Sequence, residues 1–196
     1  MVLTPSTMLN LGSPAPDFAL PDVATGKTIR RDDFKDKTGL LVMFICRHCP
    51  YVVHVREELA RVGRDYRDKP MGIVAISSND AVHYPADSPE NLKAMAREQG
   101  FLFPVCHDES QSVAKAFTAA CTPDFFLYDN SRKLVYRGQL DDSRPNSGKP
   151  VTGKDLRAAM EDVLAGKTIP TNQWPSTGCN IKWKPGLEPV YFGGQG

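Results

Sequence analysis

The stretch that most constrains the chain is Leu40–Tyr66, LLVMFICRHCPYVVHVREELARVGRDY. It opens with Leu40–Ile45, an uncharged apolar run of the length expected for a buried parallel strand. From Pro50 onward, apolar residues fall at Val52, Val55, Leu59, Val62 and Tyr66. Steps of three and four define one face of a helix. Between strand and helix sits Cys46-Arg47-His48-Cys49. A helix N-terminus carries free N–H groups and partial positive charge. Both favour a thiolate, the reactive form of cysteine. Arg47 and His48 add positive charge beside the thiols and are the expected pKa-tuning residues. Two cysteines spaced in this way on a tight turn can close a small disulfide and reopen it.

A Cys-x-x-Cys can also be half of a zinc site, but such sites draw their remaining ligands from a second pair. No second Cys-x-x-Cys exists here. The expectation is therefore no metal and no other cofactor. The chain has 196 residues, 41% hydrophobic and 24% charged, ordinary values for one globular domain with a sizeable core. A net charge of +1 gives no reason to expect a nucleic-acid partner. No apolar run is long enough to span a bilayer, so no membrane partner is expected. The N-terminus lacks the basic start and apolar stretch of a secretory signal, and the cytoplasm is the expected compartment. In a reducing compartment, five cysteines are not a structural disulfide framework.

Taken in order, residues 1–16 contain Pro and Ser and read as loose. Phe18–Leu20 and Thr28–Arg30, separated by the turn Thr25-Gly26-Lys27, suggest a small hairpin beside the main sheet. Met71–Ser77 is a second buried strand. After a polar loop, Ser88-Pro89-Glu90 reads as a helix start, with Gly100 as its stop. Phe101–Val105 reads as an extended connection and Gln111–Ala120 as a short helix. Two strands, 124–129 and 133–138, form a hairpin around Asn130-Ser131. The spacing Thr152-x-x-Asp155 suggests a capping box for a last helix ending at Gly166. The division expected is a domain over 1–166 and an extended arm over 167–196. Because the arm carries both tryptophans, Trp174 and Trp183, it should pack on the domain rather than trail as a disordered tail.

Strands alternating with helices, then a hairpin and a closing helix, predict a three-layer α/β/α domain. Its central mixed sheet should have right-handed crossovers and an N-terminal β-hairpin extension. Chemistry in such sheets lies at the carboxyl ends of the strands, where Cys46 falls. Three motifs carry a resemblance to the thioredoxin fold, in the peroxiredoxin-like branch of the AhpC/TSA (redoxin) family. Gly12-x-x-Ala15-Pro16-Asp17-Phe18-x-Leu20 resembles the opening of redoxins. Strand–Cys46-x-x-Cys49–helix resembles the thioredoxin active site. Cys121-Thr122-Pro123, before a strand, resembles the Thr-Pro whose proline is cis in that fold. Gly178-Cys179-x-Ile181-Lys182-Trp183-Lys184 also resembles members of the peroxiredoxin-like subgroup.

The resemblance implies a thiol–disulfide oxidoreductase. Cys46, as the more exposed thiolate, would attack a disulfide, and Cys49 would resolve the mixed disulfide. Thr122 and Pro123 would bind substrate, the Thr122 backbone being open to an extended peptide. The partners expected are a protein or small-molecule disulfide, or a hydroperoxide, and a thiol reductant. The charges of Arg47 and His48 predict a couple more oxidising than that of a thioredoxin. The alternative is a hydroperoxide-reducing peroxidase, with Cys179 a possible additional thiol. Against it, the peroxiredoxin pattern Pro-x-x-x-Thr/Ser-x-x-Cys is absent. Counting back from Cys49 gives Cys46 and Val42, and from Cys46 gives Met43 and Gly39. A third reading is copper handling by Cys46, Cys49 and a histidine, His54 or His83. Cys106 and Cys121 read as packing residues.

Overall fold

The computed structural model describes residues 3–192. In chain order it holds β1 (Leu3–Pro5), β2 (Ala19–Pro21), β3 (Thr28–Arg30), β4 (Gly39–Phe44), α1 (Pro50–Asp65), β5 (Met71–Ser77) and α2 (Pro89–Gln99). There follow β6 (Val105–His107), α3 (Ser112–Ala116), β7 (Cys121–Thr122), β8 (Asp124–Tyr128), β9 (Leu134–Arg137), α4 (Lys154–Leu164) and β10 (Thr177–Asn180). The central sheet has the order β6-β5-β4-β8-β9. β4 runs parallel to β5, with Val42 opposite Val74, and antiparallel to β8, with Val42 opposite Phe126. The sheet is therefore mixed, as the hairpin predicts.

β4 is buried along its whole length because both of its faces are covered. Leu41, Met43 and Ile45 meet the inner stripes of α1, α2 and α4. Leu40, Val42 and Phe44 point the other way, toward Phe117 beside α3, Phe18, and Ile181 and Trp183 of the C-terminal segment. Period-two alternation along a strand feeding two separate cores is what a three-layer domain requires. The fold is thioredoxin-like.

Helix ends follow local rules in part. The Ser88 hydroxyl accepts from the Asn91 N–H, and Gly100 closes α2 in the left-handed region. α4 departs from the expected capping box. Its N-cap is Gly153, at φ 67° and without a side-chain cap. Thr152 and Gly153 instead donate backbone N–H groups to the buried Asp141 carboxylate, each at 2.7 Å. The carboxylate pins the loop, so the helix begins after it. No described helix is long and apolar enough to cross a membrane.

The larger departures are at the chain ends. Leu3–Pro5, expected to be loose, is a strand, and β10 pairs with both β1 and β7 in a second, three-stranded sheet. The 101–105 connection leads into a further strand, β6, which holds Cys106. Trp174 is largely exposed, whereas Cys179, Ile181 and Trp183 are buried. β10 approaches β7 so closely that a Cβ on Gly178 would stand 2.0 Å from the Thr122 carbonyl oxygen. The obstacle is backbone, which cannot yield as a side chain would. Gly178→Ala should therefore push β10 away and lower unfolding stability by about 1–3 kcal/mol, the usual cost of overpacking. Denaturant titration measures it; an unchanged midpoint would mean that β10 does not lie against β7.

Candidate active site

The site forms where β4 runs out. Ile45 still donates its N–H to the Ile76 carbonyl at 2.9 Å, and the chain then leaves the ladder as Cys46. Cys49 is the N-cap of α1, in extended backbone, and Pro50 follows at the first helical position, where its missing N–H costs nothing. The two thiols converge on one residue. The Cys46 Sγ lies 3.2 Å from the Thr122 Oγ1, and the Cys49 Sγ lies 3.2 Å from the Thr122 carbonyl oxygen. The Thr122–Pro123 peptide bond is cis. Cys179, on β10 and directly opposite Thr122 in register, brings a third sulfur 2.7 Å from the Cys49 Sγ. Cys106 and Cys121 are buried as well. Burial pushes both of their thiols up, Cys106 to about 12 and Cys121 well above its ordinary value.

Beneath the turn sits Asp87, fully buried, in the segment that reads from sequence as a polar loop. Its Oδ1 accepts the backbone N–H groups of Arg47 at 2.7 Å and His48 at 3.3 Å. Its Oδ2 meets the His48 Nδ1 at 2.5 Å and the Asn79 Nδ2 at 2.7 Å. Burial alone would raise this carboxyl, but the bonds from His48 and Asn79 hold it below its ordinary value. The hydrogen bond to Asp87 raises His48 in turn, against partial desolvation. The Tyr84 ring stacks on the imidazole at 5.8 Å. No sequence motif marks Asp87; its role follows only from what the fold places above it.

The electrostatics differ from the sequence expectation. The Arg47 guanidinium turns away from the thiols, bonding the Asn91 carbonyl at 2.6 Å and Glu98 at 3.3 Å. His48 is matched by the Asp87 carboxylate rather than left as a bare positive charge. Neither Arg47 nor His48 therefore supplies the free positive charge expected to make the couple more oxidising, and of the expected sources the N-terminus of α1 remains, at Cys49. Neither thiol is exposed: both are buried, Cys46 at 1% and Cys49 at 0%. Nor is the thiolate stabilised at Cys46. A hydrogen bond shared with Cys49, burial and the nearby Asp87 charge push Cys46 well above its ordinary value. Cys49 is lowered to about 5. The Cys46 thiol bonds to it first, burial opposes, and the Cys179 thiol and the N–H groups of Val52 and Cys179 add further donors.

The histidines proposed for copper are engaged elsewhere: His54 with the Ser143 hydroxyl at 3.0 Å, His83 with Asp80 at 2.5 Å. The ligating atoms of Cys46, His48 and Asp87 lie within 4.8 Å of one another, the only such group of potential metal donors among the described residues. Asp87 already accepts four hydrogen bonds there, the pattern of an internal acceptor. The Thr122 backbone, expected to be open to a peptide, is instead paired with Cys179 of the chain's own β10.

The chain resembles known proteins over most of its length and over its core. A solved structure from Geobacillus kaustophilus, described as an uncharacterized conserved protein, is 53% identical. It superposes with a TM-score of 0.93 over 95% of this chain and 99% of that one. The thiol-disulfide oxidoreductase ResA of Geobacillus thermodenitrificans is 27% identical over 135 residues, 67% of this chain and 70% of ResA. A Mycobacterium tuberculosis protein named "Putative peroxiredoxin MT2597" is 26% identical over 117 residues, 60% of this chain and 69% of its own. The AhpC/TSA family model matches residues 11–137, which hold the strand, the cysteine turn, Asp87 and the cis peptide, and the chain belongs to the AhpC/TSA family.

Proposed function

We propose that the protein is a thiol–disulfide oxidoreductase in which Cys46 and Cys49 cycle between dithiol and disulfide. The observation that carries this reading is the convergence of both thiols on Thr122, beside the cis bond and at the N-terminus of α1. The donor pattern supports a first attack by Cys49. Its thiolate displaces one half of a disulfide substrate, forming a mixed disulfide and releasing the other half as a thiolate. The negative charge on Cys49 is then gone, and with it one of the influences that keep Cys46 protonated. Cys46 passes its proton toward the adjacent His48–Asp87 pair and attacks the Cys49 Sγ. The second substrate half leaves, and the Cys46–Cys49 disulfide forms. An external thiol reductant returns the pair to the dithiol. Membership of the AhpC/TSA family and the likeness to ResA support this chemistry.

One observation favours hydroperoxide reduction as a second reading. The hydroxyl missing from the chain's own Cys-3 position is supplied from another element by the Thr122 Oγ1, 3.2 Å from the Cys46 sulfur. Turnover of hydrogen peroxide by the reduced protein, followed beside disulfide reduction, separates the two.

The nucleophile assignment is read from the first step alone. With an aromatic disulfide as substrate, the release of one equivalent of aromatic thiol should rise with pH about a midpoint near 5, where Cys49 ionises. Cys46→Ala should keep that release but move the midpoint up, because its S–H no longer donates to Cys49. Cys49→Ala should slow it by roughly tenfold or more, since the thiol left at Cys46 is poorly ionised. The reverse ranking would assign the attack to Cys46, and release from neither thiol would sink the oxidoreductase reading.

Asp87→Asn tests the pair beneath the turn. Asp87 is depressed in the fold, so its contribution to stability is present above its ordinary pKa of 3.8 and is lost as pH falls through the folded value. His48 is raised, so its contribution is present below its ordinary pKa of 6.5 and is lost as pH rises through the folded value. The melting temperature of the wild type should exceed that of Asp87→Asn most between these two values, converge on it below the Asp87 value, and narrow only in part above the His48 value, where the bonds from Arg47 N–H and Asn79 remain. A difference independent of pH would show that the carboxylate acts there by shape alone.

A further inference from the structure

The active site holds a third sulfur that the family match does not reach. The match ends at residue 137, whereas Cys179 lies on β10. Three observations bear on it. Its Sγ touches the Cys49 Sγ at 2.7 Å, so Cys49 has a thiol neighbour besides Cys46. β10 reaches this place by backbone pairing: Cys179 stands opposite Thr122 and Asn180 opposite Cys121, on the edge where an extended peptide substrate would lie. The approach is built in, since at Gly178 only a residue without a Cβ clears the Thr122 carbonyl oxygen. Further bonds lock the strand on both sides. The Ser176 hydroxyl donates to the Pro123 carbonyl at 2.6 Å, the Ile181 N–H to the Ala120 carbonyl at 3.0 Å, and the Lys182 N–H to the Asn79 Oδ1 at 2.8 Å. Asn79 in turn donates to Asp87.

We propose that β10 is an internal substrate strand and that Cys179 is a third redox thiol, which rearranges the Cys46–Cys49 disulfide into a Cys49–Cys179 disulfide. The proposal rests on the oxidoreductase reading above. The step is an exchange within one chain. The Cys179 sulfur attacks the Cys49 Sγ, the Cys46–Cys49 bond breaks, the Cys49–Cys179 bond forms, and the proton of Cys179 ends on Cys46. Two thiols' worth of oxidation is conserved and no further oxidant enters. In the reduced protein Cys179 is pushed up to about 12, by burial first and then by the neighbouring Cys49. Once Cys49 is in a disulfide its negative charge is gone and burial alone opposes attack. Cys46 is the better-placed leaving sulfur, because the His48–Asp87 pair stands beside it to supply the returning proton. The consequence is regulatory as well as chemical. The exchanged form ties β10 covalently over Thr122 and returns Cys46 to the thiol state, so an extended peptide cannot reach Thr122 until an external thiol has reduced the Cys49–Cys179 bond.

The test oxidises the wild-type protein with an excess of glutathione disulfide, quenches in acid, blocks the remaining thiols with iodoacetamide and maps the disulfides by peptide mass spectrometry. The expected result is a bridge between the Cys49 and Cys179 peptides with Cys46 alkylated, in equilibrium with the Cys46–Cys49 form. Oxidised protein that contains only the Cys46–Cys49 bridge, with Cys179 alkylated throughout, overturns the proposal. Cys179→Ser separates the two readings. If it forms Cys46–Cys49 while the wild type never shows Cys49–Cys179, the third-thiol proposal falls and the pair stands. If it forms no internal bridge while the wild type bridges only Cys49 and Cys179, the pair reading falls and the exchange falls with it, Cys179 being then the direct partner of Cys49.

Discussion

A strand that is buried on both faces must end somewhere, and where β4 ends its backbone loses the partners that a sheet provides. The N–H of Ile45 is the last in the ladder. Those of Arg47 and His48 follow in a half-buried turn. Buried donors left unpaired cost about as much as a lost hydrogen bond each. One carboxylate, Asp87, accepts both, and it also holds the His48 ring and the Asn79 amide. The shape of the Cys-x-x-Cys turn depends on this acceptor, and so does the position of everything beyond it.

That structural solution has an electrostatic consequence. A carboxylate placed under the turn puts negative charge nearest to the first cysteine. Cys46 is held as a thiol, and the charge of the reduced pair moves to Cys49, toward the N–H donors of α1 and β10. The two cysteines are equivalent in a motif and different in the fold. Asp87 adds to a difference that the shared hydrogen bond and burial already make, and it serves the backbone first and the chemistry second.

Much of the architecture was legible because it is written in local periodicity. The uncharged run of β4, the one-sided helix from Pro50, the Ser-Pro-Glu start of α2 and the turn between β8 and β9 each announce themselves within a window of a few residues. So does the Thr-Pro before β8, which the fold brings against the cysteines. What could not be read has a common physical cause. β1 and β10 are short strands that bury little by themselves, and they exist because they pair with each other across almost the whole chain. Asp87 looks like any acid in a polar loop until the turn is folded over it. Arg47 and His48 sit next to the thiols in sequence, but adjacency says nothing of direction, and Arg47 finds Glu98 and the end of α2 instead.

The C-terminal segment shows how such a fold can be extended without altering its core. The family match covers 11–137, and the sheet, the cysteine turn and the cis peptide lie inside it. An edge like Thr122 exposes unpaired backbone groups, and exposed edges recruit strands. Here the chain supplies its own strand, at a distance so short that Gly178 must have no side chain. Once backbone pairing sets the register, the side chains are no longer independent choices. The residue opposite Thr122 is the one nearest Cys49, and in this sequence that residue is Cys179. A lysine or valine there would have made the arm a simple cover. A cysteine makes the cover part of the redox site, because the same pairing that closes the edge presents the thiol.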